Sequence, residues 1–256
     1  MFSELCLVWV ALLTLIKGIN DLNILYIFII MKVLSFDVGI KNLSYCILDD
    51  KRIIHSWGIL NISIDPVCDH HIKDKHQCDK SATYLVNGMS LCSSHKNLKK
   101  YKTSSKPKKI PKHKHHLFEL GTNLLQILDT HPEFLMVEYV LIENQPALKN
   151  PTMKTIQTMI YTYFLIHGIQ SQDSPISMVH LINARHKLKA YHGSPISCDI
   201  KDKYKKTKFL SIHYCQTMIS TPLIHKKFKD LYTLSKKKDD LADAYLQGMY
   251  WLDSRK

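Results

Sequence analysis

Hydrophobic and polar positions fall into three regimes along the chain. Between Lys32 and Leu60 short apolar runs follow one another closely: KVLSFDV (32–38), LSYCILD (43–49) and RIIHSWGIL (52–60). Their Val, Ile, Leu, Tyr and Trp content, with the polar DDKR turn before the last run, predicts three successive strands with tight connections. From Pro66 to about His95 the pattern breaks and cysteines and histidines gather. From Lys96 to His116, KNLKKYKTSSKPKKIPKHKHH has no apolar period and reads as a basic linker. The period then becomes helical: in LFELGTNLLQILD (117–129), Leu117, Leu120, Leu124, Ile127 and Leu128 share one face. VEYVLIENQ (137–145) and ISMVHLIN (176–183) predict two more strands. NPTMKTIQTMIYTYFLIHG (150–168) opens with Pro151 and closes with Gly168, as helix ends favour. KYKKTKFLSIHYCQTMI (203–219) and KKKDDLADAYLQGMYWL (236–252) supply two further helices. A meander followed by alternating helices and strands predicts an α/β fold, one mixed sheet flanked by helices.

The first thirty residues differ. LCLVWVALLTLI (5–16) and LNILYIFII (22–30) are separated by KGIND, so neither reaches the roughly 20 residues that span a bilayer. No basic region precedes them and no small-residue cleavage site follows. Met31 stands directly before the first core strand. The expectation is a working chain of residues 31–256, with 1–30 an apolar extension outside it; a membrane anchor is the competing reading.

Composition adds two constraints. A chain of 256 residues with 45% hydrophobic content supports one good-sized core and a small satellite module. A formal charge of +13 favours a polyanionic partner, nucleic acid first and an acidic membrane surface second. Seven cysteines at irregular spacing are not a disulfide framework in a chain this long.

Four acids carry the candidate chemistry. Asp37 ends the first strand, Glu143 ends the strand after the first helix, and Asp240 and Asp243 lie three apart on the last helix, sharing a face. Their neighbours Leu241, Ala242, Ala244 and Leu246 set that helix against the sheet. Acids at such positions repel one another and lose hydration, which a divalent cation offsets. Hard oxygen ligands suit Mg²⁺ or Mn²⁺, and two such ions can activate water and stabilise the leaving oxygen in phosphodiester hydrolysis. Taken singly, Asp37 is equally a turn residue before Gly39, and Asp239 and Asp240 are equally solvated helix acids. Their joint occurrence, in this order on these elements, points to a metal site.

FDVGIKNLSYCIL (36–48), LIENQP (141–146) and KKDDLADAYL (237–246) resemble the three motifs of RuvC-type Holliday junction resolvases, in particular the branch of poxviruses and other large DNA viruses, with mitochondrial fungal relatives. The resemblance spans Lys32 to about Leu252 apart from the cysteine-rich insertion and the linker. It implies a ribonuclease H-like fold and a homodimer that cuts four-way DNA junctions by paired Mg²⁺-dependent nicks. The setting it implies is DNA recombination or the processing of replicated viral genomes, in the cytoplasm or nucleus of an infected host cell. Carried over by motif, Asp37 contacts both metals, and Glu143, Asp240 and Asp243 complete the cluster, with Asp239 the alternative to Asp240. Such resolvases also use a lysine from later in the fold, near the scissile phosphate, where it would stabilise developing charge. Lys187 in INARHKLK and Lys205, Lys206 and Lys208 in YKKTKFL are the DNA-contacting candidates, although a solvated helix face explains most of them equally well.

The cysteine-rich stretch adds a second metal. Cys68, Cys78, Cys92 and His95 form a candidate Cys₃His zinc site, with ligand-like spacing in the Cys92–His95 half. The Cys68–Cys78 gap is wide, which leaves His70, His71 and His76 as alternatives for one ligand. TYLVNGMSLC (83–92) predicts a hairpin turning at Asn-Gly. Residues 66–95 hold too few apolar side chains to fold without a staple, so a zinc knuckle is preferred over reduced buried thiols or a disulfide. The linker lysines add sequence-independent phosphate attraction; nuclear targeting or a disordered loop is an equal reading.

Other functions fit less well. DVGIKN after a strand also resembles the first phosphate loop of actin-like ATPases and sugar kinases, but those need a second glycine-rich loop, and the eight glycines here stand far apart. A non-catalytic zinc-dependent DNA-binding protein would have lost at least one acid, and all four are present. A nuclease acting on other branched DNA, or on RNA–DNA hybrids, keeps the same chemistry with a different substrate.

Overall fold

The computed structural model describes residues 30–255 apart from 64–65, 73–75, 103–105, 111–116, 149 and 222–223. The apolar extension of residues 1–29 lies outside them. Met31 packs against the core, and its carbonyl accepts from the Asp50 amide at 3.0 Å. No helix among the described residues is long and apolar enough to cross a membrane.

Five strands form the main sheet: β1 (Lys32–Asp37), β2 (Leu43–Asp49), β3 (Ile54–Leu60), β9 (Tyr139–Glu143) and β10 (Met178–Ile182), in the order β10-β9-β1-β2-β3. β1, β2 and β3 pair antiparallel; β9 pairs parallel with β1, and β10 parallel with β9. An antiparallel meander extended by two parallel strands is the mixed sheet expected from the sequence. Among the described residues the α-helices are α1 (Leu117–Asp129), α2 (Pro151–Phe164), α3 (Lys203–Ile219), α4 (Lys226–Leu234) and α5 (Lys238–Asp253). α4 was not foreseen in the sequence, and α5 begins two residues later than expected.

Side-chain alternation sorts the two cores. Leu34, Phe36, Tyr45, Ile47, Val140 and Ile142 face α1 and α2. Val33, Cys46, Leu48 and Leu141 face α3, α4 and α5. The same period puts Asp37 and Glu143 on the α5 side. β1 and β9 are in register from Val33↔Tyr139 to Phe36↔Ile142, so the two acids end adjacent parallel strands side by side. Open α/β sheets place their functional groups at such carboxyl ends.

A second unit occupies Pro66 to Ile110. β6 (Tyr84–Val86) and β7 (Met89–Leu91) form the expected hairpin; its Asn87-Gly88 turn has φ of 50° and 78°, the left-handed values a two-residue hairpin turn of this type requires. β4 (His71–Ile72) pairs with β5 (His76–Gln77), and β8 (Lys108–Lys109) adds to β6. Residues 96–102 and 106–110, read from sequence as linker, thus belong to this unit: Tyr101 is buried in its small core with Cys68, Cys78, Val86, Leu91 and Cys92.

Candidate active site and metal-binding module

α5 is fastened to the sheet by polar contacts next to its acids. Gln247 Nε2, fully buried, donates to Ser35 Oγ (3.0 Å) and to the Phe36 carbonyl (3.1 Å). Trp57 Nε1 donates to the Leu241 carbonyl (3.1 Å) and Ser44 Oγ to the Asp240 carbonyl (2.6 Å). Asp240, Asp243 and Gln247 follow i, i+3, i+7 spacing, so the contacts that anchor Gln247 also turn both acids toward β1. Glu143 is held from the other side. Gln145 Nε2 donates to Glu143 Oε2 (2.9 Å), while Gln157 of α2 accepts from the Gln145 amide (2.8 Å) and from Lys154 Nζ (3.1 Å).

The result is one cleft of about 640 Å³ lined by Asp37, Glu143, Asp239, Asp240 and Asp243. Lys187, with only 8% of its surface exposed, enters from a short helix over Ala184–Ala190 and pairs with Asp243. That helix, capped by the Asn183 side chain accepting from the Arg185 amide, was not foreseen. Lys208 Nζ pairs with Asp239 Oδ2 at 2.5 Å. Arg185 and Lys203 also line the cleft and were missed by sequence reasoning. Lys205 and Lys206 are exposed and do not line it. On α3 the lining set is Lys203, Tyr204, Thr207, Lys208 and Ser211, one helical stripe, and a 100° step per residue carries positions 205 and 206 off it.

The electrostatics are those of a crowded anion site. Burial, then the neighbouring Glu143 and Asp243 carboxylates, push the Asp37 carboxyl well above its usual range, against the pull of Lys187. Burial raises Asp243 despite its pairing with Lys187, and burial with the adjacent Asp239 raises Asp240. Burial would raise Asp239 too, but its hydrogen bond and charge pairing with Lys208 hold it below the ordinary value. Burial works against the Lys187 ammonium, yet Asp243, Asp37 and Glu143 outweigh it and raise its pKa.

Asp240 Oδ2, Asp243 Oδ1 and Ser211 Oγ are buried without a hydrogen-bond partner among the described residues. Unpartnered carboxylate oxygens beside a carboxyl pushed toward neutrality are what a divalent cation would relieve, so the donor set fits one. The carboxylates do not form a compact ligand group: among the described residues, the one set of ligand atoms lying within 4.8 Å of one another is Cys68, Cys78, Cys92 and His95. In the acid cleft the Lys187 ammonium stands among the carboxylates instead.

The Cys₃His set is the one expected from the sequence. His95 Nδ1 lies 3.5 Å from Cys68 Sγ and 3.4 Å from Cys92 Sγ. His70, a sequence-level alternative, is outside the set: its ring packs on His95 with centroids 3.8 Å apart, and its Nδ1 meets Tyr101 Oη at 3.0 Å. His71 and His76 sit exposed on β4 and β5, also outside it.

No known family profile matches the chain. An uncharacterised protein of Acanthamoeba polyphaga mimivirus is 34% identical over 196 residues, covering 73% of this chain and 46% of that protein, so the chain spans about half the length of its relative. Among solved structures, the chain is similar to the yeast mitochondrial Holliday junction resolvase Ydc2 (16% identity, 87% of this chain and 79% of that one, TM-score 0.48). It is also similar to fowlpox virus resolvase in complex with Holliday junction DNA (17%, 88% and 99%, TM-score 0.43) and to Thermus thermophilus RuvC (10%, 88% and 96%, TM-score 0.41).

Proposed function

We propose that this protein is a metal-dependent, structure-selective endodeoxyribonuclease that resolves four-way DNA junctions. The observation that carries the reading is the convergence of Asp37, Glu143, Asp240 and Asp243, from two strands and a helix, in one cleft with a buried lysine. The motifs around these acids resemble those of the RuvC-type resolvases in order and placement. Asp37, Glu143, Asp240 and Asp243 would hold Mg²⁺, or Mn²⁺ in its place, and two bound ions would supply an activated water and neutralise the leaving oxygen. Lys187 would stabilise charge developing on the scissile phosphate. Arg185, Lys203 and Lys208, on the cleft wall, bind flanking phosphates. Gln145 orients Glu143, and Gln247 fixes the spacing between α5 and β1.

Paired nicks on opposed strands need two such clefts, hence a homodimer on branched double-stranded DNA. Cys68, Cys78, Cys92 and His95 would hold Zn²⁺ as a closed tetrahedral site with a structural role. The mimivirus relative supports a link to large DNA viruses; work on viral DNA in the cytoplasm or nucleus of an infected cell is part of the same proposal.

The test is a synthetic immobile four-way junction incubated with the protein and Mg²⁺. Wild type should nick two opposed strands. Asp37→Asn should still bind the junction and cut it at least about 100-fold more slowly, the scale of losing one group that stabilises transition-state charge. Equal cutting by both would remove this cleft from catalysis.

A further inference from the structure

The zinc-type module carries a surface that the cleft chemistry does not use. The chain enters it after β3 and returns to the core before α1. β1 and β3 are both antiparallel to β2, so Leu60 lies at the same end of the sheet as Asp37. The Ile62 amide donates to the Ile40 carbonyl (2.9 Å), and Lys41 Nζ donates to Ser81 Oγ (3.4 Å). Both Ile40 and Lys41 belong to the loop that follows Asp37. The module is therefore tied to the rim of the cleft.

Its charge is one-sided. The described acids between Pro66 and Ile110 are Asp69 and Asp79, and Asp69 is used internally, its Oδ2 accepting from the Ser90 amide at 2.6 Å. Lys80, Lys99, Lys100, Lys106, Lys108 and Lys109 are all exposed. Among the described residues none of Lys99, Lys100, Lys108 and Lys109 meets a carboxylate. The described surface of the module thus carries a strong excess of positive charge. The cations are also held on ordered structure. Lys108 and Lys109 sit on β8 opposite Leu85 and Tyr84, Lys96 Nζ lies 3.4 Å over the Tyr84 ring, and Lys100 Nζ lies 5.0 Å from the buried Tyr101 ring. Half of the buried residues in the small core of the module are the candidate ligand cysteines.

We propose that the lysines of this module are a second nucleic-acid contact, gripping the phosphate backbone of a duplex arm where it leaves the cleft, and that zinc bound at the Cys₃His set would keep the module in shape. The inference rests on the nuclease reading above and adds where the substrate is held. Contact with phosphates needs fixed cations and no base recognition; Lys109 shares the side of β8 that carries Tyr84 and its partner Lys96, while Lys108 alternates to the other side.

The experiment measures the affinity of the full chain for a labelled four-way junction over a NaCl series. It compares wild type with Lys99→Gln/Lys100→Gln/Lys108→Gln/Lys109→Gln and with the same four positions changed to Arg. The Gln variant should keep the zinc content and thermal midpoint of wild type. It should bind at least about tenfold more weakly at physiological salt, with a log K against log salt slope shallower by about 2–4. The Arg variant should bind as wild type does, and wild type stripped of zinc should bind like the Gln variant. Junction cutting by wild type with unchanged affinity and slope in the Gln variant would overturn this inference alone. Wild type that neither binds nor cuts would overturn the nuclease reading with it.

Discussion

The Lys187 ammonium is paired with the Asp243 carboxylate inside a cleft that also holds Asp37 and Glu143, where it stands as the local counter-charge to the acids. Removing one member of a buried pair leaves the other uncompensated, at a cost on the order of 3 kcal/mol. Lys187→Met should therefore be less stable than wild type in metal-free buffer. Excess Mg²⁺ should narrow the gap, because cation binding to the native state adds stability by mass action. Thermal midpoints with and without Mg²⁺ test this; a gap that Mg²⁺ does not change would mean that Lys187 is not standing in for a cation. Cleavage by the variant should fall about 10²–10³-fold.

Asp239 and Asp240 are adjacent in sequence but not equivalent. Asp239 is neutralised by Lys208 at 2.5 Å, whereas Asp240 Oδ2 is buried with no partner. This favours Asp240 over Asp239 as a ligand in the proposed site. Asp240→Asn should slow single-turnover junction cleavage at least about 100-fold. Asp239→Asn should slow it less than about tenfold, by releasing Lys208 and lowering the local order of α3 against α5. The opposite ranking would assign the ligand role to Asp239.

The Cys₃His module should bind one zinc per chain, and Cys92→Ser should bind little. The core of the module is small, so zinc binding would be folding free energy, about 10 kcal/mol or more. Loss of zinc should open residues 66–110 to trypsin at their many lysines while the 117–255 core stays intact. Metal analysis with limited proteolysis reads both. A zinc-free chain as resistant as the loaded one would remove the metal from the fold of the module.

Much of this was legible in the sequence because it depends on short periods. Alternation in 32–60 and 137–145 is enough to place Asp37 and Glu143 on one face, and i, i+3 spacing is enough to pair Asp240 with Asp243. The bounds of α1 and α3 coincide with the apolar and amphipathic runs read at 117–129 and 203–219. The misses have physical causes. α4 is nine residues long with a lysine-rich start, too short for its period to stand out. The helix carrying Lys187 is a single tight stretch recognisable only by its Asn183 cap. Lys205 and Lys206 look like Lys208 in sequence, and only the helical stripe on α3 separates them. The basic stretch 96–116 has no period, yet Tyr101 and β8 tie part of it down through long-range contacts that no local pattern encodes.

At the far end of the sheet, Asp253 closes α5 by accepting from Arg52 of the β2–β3 turn and pairing with His192 Nε2 at 3.1 Å. Burial would raise the Asp253 carboxyl, but Arg52 and His192 outweigh it and hold the pKa below its ordinary value. A carboxyl depressed in the folded state contributes stability above its unfolded pKa, about 3.9, and loses it as pH falls through the lower folded value. The pair is partly exposed, so its contribution is discounted to about 1 kcal/mol. Asp253→Asn should accordingly lower the urea midpoint relative to wild type at neutral pH, by the same margin at pH 5, with the margin closing below about pH 3. Arg52 has φ of 64°, a left-handed value that Asn tolerates. Arg52→Asn removes the charge without demanding a new backbone and should show the same pH profile. A margin that persists unchanged into strong acid, in both variants, would show that packing and not the ion pair fastens this end of α5.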